Sequence, residues 1–118
     1  MLNVVALRGH LSRPAELRVL PSGQNLVGLE LTVRREEGGK AESVPVVWHS
    51  PPAWAADLDV GTEVVVVGHV ARRFFRAGGL TQSRTEVVAA NAVLAGTSRN
   101  NKRVEAALRK AVEAIEAS

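Results

Sequence analysis

The chain contains no cysteine and no tyrosine, and only two Trp and two Phe stand among its 118 residues. Without cysteine there is no disulfide framework, no thiolate metal site and no cysteine nucleophile. The absence also fits a reducing compartment. No apolar run approaches the ~20 residues that a spanning helix needs. Met1-Leu2-Asn3-Val4 carries no basic segment ahead of an apolar one, so no signal peptide is expected. These absences lead to the expectation of a soluble, cytoplasmic protein with no membrane partner. No P-loop occurs, no Ser/His/Asp set has recognisable spacing, and no pair of carboxylates stands out as an acid/base couple. His10, His49 and His69 lie far apart, and single surface histidines are a simpler reading than a three-histidine zinc site. The chain therefore reads as non-enzymatic, with no cofactor and no metal.

What is present is enough for one domain with one core: 46% of the residues are hydrophobic. The formal net charge is +3. Residues 1–95 hold 10 basic and 9 acidic side chains, a net of +1, and residues 96–118 hold 5 and 3, a net of +2. The distribution matters more than the sum. Between Val64 and Thr85 stand Arg72, Arg73, Arg76 and Arg84 with no acid. Such a stripe on a near-neutral body reads either as a placed phosphate contact or as a solvated hairpin.

Strand signals dominate. Residues 3–11 are rich in Val and Leu, with Gly9 as a bend or bulge. A turn and a short extended piece follow over 12–20, closed by the turn signal Pro21-Ser22-Gly23. Residues 26–35 alternate most cleanly: Val27, Leu29, Leu31 and Val33 against Gly28, Glu30, Thr32 and Arg34. Glu36 to Lys40 is a polar hairpin loop. Residues 43–49 return as a third strand, in which Pro45 calls for an edge or a bulge. Ser50 as N-cap and Pro51 at the first helical position then open a short helix ending near Leu58, with Trp54 and Leu58 sharing a face. A fourth strand runs from Val64 through Val70 to Arg76, and a fifth from Gln82 to Leu94.

Three strands, one short helix and two strands form the layout of an all-β, five-stranded Greek-key OB-fold barrel. An SH3-like barrel is the structural rival, but it has no helix at that place. The expected organisation is an OB-fold domain over 1–95, a polar linker over 96–101 and an amphipathic C-terminal α-helix over 102–118. Val104, Leu108, Ala111, Val112 and Ile115 line one face of that helix. It has three possible uses: packing on its own barrel, pairing with another subunit, or presenting a partner site. Packing within an oligomer is the simplest.

The string Asn3-Val4-Val5-Ala6-Leu7-Arg8-Gly9-His10-Leu11 resembles the opening strand of bacterial single-stranded DNA-binding proteins. The resemblance continues in Pro14-Ala15-Glu16-Leu17-Arg18, Pro21-Ser22-Gly23, Gly61-Thr62-Glu63-Val64-Val65-Val66-Val67-Gly68 and Arg84-Thr85-Glu86-Val87-Val88, in family order over residues 2–95. It implies an OB fold, a homo-oligomer of two or four chains, and single-stranded DNA across the barrel surface. It further implies work in replication, repair or recombination beside other proteins of those processes, in a cytoplasmic, nucleoid-associated setting.

The family places an aromatic at the outer end of the fourth strand, and Phe75 stands there. Alternation puts His69, Arg73 and Phe75 on one face and Val64, Val66 and Val70 on the other. A ring that stacks on a base beside a guanidinium that takes the phosphate is the chemistry single strands call for. Alternatively either Phe caps the core, and Phe74 falls on the core-facing register. The expected nucleic-acid contacts are Arg34, Arg35, Trp48, His49, Arg72, Arg73, Phe75, Arg76 and Arg84.

Departures from the family pattern are also visible. Arg34-Arg35-Glu36-Glu37 replaces an aromatic near the end of the second strand. Ser43 and Val44 stand where a Trp usually precedes the third strand's Val pair, Trp48 comes later, and His49 replaces a phenylalanine. The chain ends in a helix in place of an acidic tip. The resemblance is thus to a divergent or accessory member. Two other readings stay open: a primosome-type accessory OB protein, and a protein-interaction OB module with little nucleic-acid binding.

Overall fold

The computed structural model describes residues 1–118. In chain order it contains β1 (Val5–Leu11), β2 (Glu16–Val19), β3 (Asn25–Val33), β4 (Glu42–His49), a 3-10 helix (Ala53–Asp57), β5 (Glu63–Ala77), β6 (Leu80–Leu94), a 3-10 turn (Ser98–Asn100) and α1 (Asn101–Ala117). The strands follow the order β1-β5-β6-β4-β3-β2, and a β1–β3 pairing closes the ring. All neighbours are antiparallel except β4 and β6, which meet in parallel at Val46↔Val87 and Val47↔Val88.

The sixth strand reconciles with the five-strand expectation. β1 and β2 lie on the same edge of β3, with Leu11 opposite Leu31 and Glu16 opposite Gly28. They act as one barrel strand broken at Ser12-Arg13-Pro14, where proline removes a ladder donor. The short extended piece expected over 12–20 is β2, paired along β3.

The core follows the alternation. Val27, Leu29 and Leu31 of β3, Val46 and Trp48 of β4, Val64 and Val66 of β5, and Leu11 point inward. On β6 the inward set is Val87, Ala89 and then Ala92, a change of parity. Its cause is a bulge: Val67 opposes Asn91 and Gly68 opposes Ala89, which leaves Ala90 unpaired. A Cβ on Gly68 would overlap the Val88 carbonyl oxygen, so only glycine fits this crossing. Gly9 plays the matching part where β1 leaves β5 for β3, because a Cβ there would strike the Thr32 carbonyl.

Three local expectations need correction. Ser50 is not an N-cap: it adopts φ 49°, and Pro52 precedes the helix without a side-chain cap. Trp54 and Leu58 do not share a buried face. The helix is 3-10, with three residues per turn, so Ala55 and Leu58 turn inward and Trp54 stays largely exposed. Its ring meets Trp48 edge-on at 5.7 Å. Finally, α1 docks through Val104, Ala107 and Ala111, with Val104 packed on Val65 and Ala95. Alanine allows close approach to the sheet. Leu108, Val112 and Ile115, expected on the same stripe as Val104 and Ala111, are rotated toward solvent.

Candidate nucleic-acid interface

β5 and β6 pair without interruption from Gly68↔Ala89 to Ala77↔Leu80. The core lies beneath only the inner part of this ribbon, so its outer part projects as an arm. That corrects two expectations about its inward register. Val70 and Phe74 have the parity of Val66, yet Val70 is exposed and Phe74 is 68% exposed, because no opposing layer reaches them.

A groove crosses the outer faces of β3 and β4. Gly28 and Glu30 of β3 and Val47 and His49 of β4 line its floor. Arg13 and β2, through Glu16 and Arg18, form one wall; Arg73, Arg84 and Glu86 of the arm form the other. Gly28 keeps the floor open, since only one atom lies within 4 Å of where its Cβ would stand. The lining carries four arginines (Arg13, Arg18, Arg73, Arg84) and three glutamates (Glu16, Glu30, Glu86), 4 − 3 = +1 with His49 neutral.

Arg73 is the best-placed cation. Its guanidinium carbon lies 5.2 Å from the Phe75 ring centroid, within cation–π range. Its Nε lies 3.4 Å from Oε1 of Glu86. Glu86 is 5% exposed, and its Oε2 has no hydrogen-bond partner. A buried carboxylate with one unsatisfied oxygen is costly, and here it anchors the arginine that covers Phe75. Arg84 reaches toward Glu30 at 4.0 Å, and Glu30 accepts a 2.6 Å hydrogen bond from the Ser43 hydroxyl. These pairs leave the groove cationic but restrained. Glu86→Gln keeps the shape and removes one negative charge. It is expected to tighten binding of a polyanion several-fold, read as a lower Kd by fluorescence anisotropy; weaker binding at unchanged stability would contradict the restraint assigned to these pairs.

The structure divides the residues expected from the sequence. His49, Arg73 and Arg84 line the groove, and Phe75 lies under Arg73 beside it. Arg72 and Arg76 lie on the opposite face of the arm from Arg73 and Phe75, by the period of two. Arg34 and Arg35 follow β3 in the loop to β4, outside the groove lining, and Arg35 is held by Glu42 at 2.6 Å. Trp48 is corrected: it is 5% exposed and packs in the core, so its ring is closed to a base. Arg13 and Arg18 were missed. The period-two pattern of Glu16 and Arg18 against Leu17 and Val19 was a readable signal for the second. His10, His49 and His69 do not converge, and no group of three potential ligand side chains is placed to hold a metal. No helix is long and apolar enough to cross a membrane.

No protein-family model matches the chain. A single-stranded DNA-binding protein of Thermus thermophilus is 36% identical over 73 residues, covering 58% of this chain and 28% of that protein. The chain thus spans little more than a quarter of the curated relatives it matches. Among solved structures, the single-stranded DNA-binding protein of Thermus aquaticus superposes with a TM-score of 0.67 at 28% identity, over 82% of this chain and 42% of that one. The dimeric N-terminal domain of PriB from Thermoanaerobacter tencongensis superposes with a TM-score of 0.63 at 21% identity, over 80% and 98% of the two chains, a likeness of fold. With its closed strand ring and its helix between the third and fourth barrel strands, the chain has the OB fold, and over part of its length it is similar to single-stranded DNA-binding proteins.

Proposed function

We propose that the protein binds single-stranded DNA with little regard to sequence, through the groove over β3 and β4 and the arm beside it. The observation that carries this reading is the Arg73–Phe75 pair at 5.2 Å on the edge of a groove lined by four arginines. Phe75 supplies a stacking surface that any base can use. Arg73, Arg84, Arg13 and Arg18 meet the phosphates, and exposed His49 adds a second flat ring. With a single ring of the indole or phenyl class in the groove region, the electrostatic share of the affinity is large.

The chain works as an oligomer in this reading. Leu108, Val112 and Ile115 form an exposed apolar stripe on α1 that suits a subunit contact. Residues 1–95 carry the OB domain in this reading, followed by a short linker and α1. The role belongs to replication, repair or recombination, beside the proteins of those processes.

The test is fluorescence anisotropy with a labelled dT strand of ~35 nucleotides at several salt concentrations. Log affinity should fall linearly with log salt, with a slope of about −0.7 for each phosphate contacted. Absence of binding at low salt would refute the reading and favour an OB module that contacts proteins.

A further inference from the structure

We infer that the arm carries a second single-strand track on the face turned away from the groove. The inference rests on the function proposed above. Residues directly opposite in the ladder share a face. Arg72 opposes Thr85, Phe74 opposes Ser83 and Arg76 opposes Thr81. One face of the arm therefore presents Arg72, Phe74 and Arg76 in a row, bordered by three hydroxyls. All six residues are exposed, and Phe74 is 68% exposed.

The composition of this face is that of a nucleic-acid surface. The ring stands between two guanidiniums at i − 2 and i + 2, each about 6.7 Å along the strand. A base stacked on Phe74 would have a cation on either side for the flanking phosphates. Ser and Thr hydroxyls are common phosphate donors. No carboxylate lies anywhere in residues 64–85. The two faces differ in this respect. In the groove Arg73 and Arg84 are paired with Glu86 and Glu30. On the far face Arg72 has no ion-pair partner, and Arg76 makes only a 3.0 Å bond from its Nη2 to the Gly79 carbonyl oxygen. The far face is thus the less neutralised of the two, and a strand leaving the groove meets it by passing round the arm. Charge complementarity commits the occupant to single-stranded DNA.

The experiment uses the full chain, a labelled dT strand of ~35 nucleotides, and four proteins: wild type, Phe74→Ala, Arg72→Gln and Phe75→Ala. Both far-face side chains are exposed, so the variants should melt with the wild type. Phe74→Ala should weaken binding about tenfold, the loss of one stacked base. Arg72→Gln should make the log–log salt slope shallower by about 0.7, one phosphate contact. Wild-type affinity and slope in both far-face variants, with weaker binding by Phe75→Ala, would overturn this inference and leave the groove reading standing. No binding by the wild type would overturn both.

Discussion

Phe75→Ala should weaken binding of a dT strand by about 5- to 150-fold, the equivalent of ~1–3 kcal/mol for one stacked base. Two effects combine at this position. In the proposed reading the ring is the stacking surface beside the groove, and it is also the platform on which Arg73 rests at 5.2 Å. Removing it frees the guanidinium to move over Glu86 and away from the strand. The loss should appear in affinity while the salt slope changes little, because no charge is removed. Phe75 is partly exposed on a projecting arm, so folding should be preserved. Unchanged affinity in a folded variant would remove the central site assignment.

Gly68→Ala should destabilise the fold by about 3 kcal/mol or more, a lowering of the melting temperature by roughly 10–20 °C for a domain of this size. The cause is steric. A methyl group would enter the space of the Val88 carbonyl oxygen and press on the Ala89 Cα, both backbone atoms that cannot rotate aside. Relief would require opening the bulge at Ala90, and that bulge sets which β6 residues face the core on either side of it. The arm grows from this point, so the variant should lose DNA affinity along with stability. A melting temperature within a few degrees of wild type would show that the crossing is looser than the close packing indicates.

Much of the fold was legible because its signals are local and periodic. The alternation over Val27 to Val33 names the inward residues of β3 directly. The Val64–Val67 run signals a strand buried on both faces, which the core and α1 together supply. The errors arose where the period depends on what lies beyond the chain segment. Phe74 and Val70 keep the inward parity, but parity does not reveal that the barrel has ended beneath them. The helix stripe was read from spacing alone, and the sheet selected Ala107 over Leu108 because a small side chain packs closer. Trp48 looked like a stacking ring by residue type, yet the period of two it shares with Val44 and Val46 places it on the inward register. Glu86 stands in the sequence as one residue of the Arg84–Val88 motif; its burial beneath Arg73 arises from the pairing of β5 with β6, a long-range contact with no signature in spacing.

The most direct measurement of the central claim is an NMR map of amide shifts on adding a short dT strand. The account predicts that the perturbed amides cluster on β2, β3, β4 and the arm, with Arg73, Phe75, Arg84 and His49 among them, while α1 stays unperturbed. Shifts confined to α1 and β1, or no shifts at all, would contradict it.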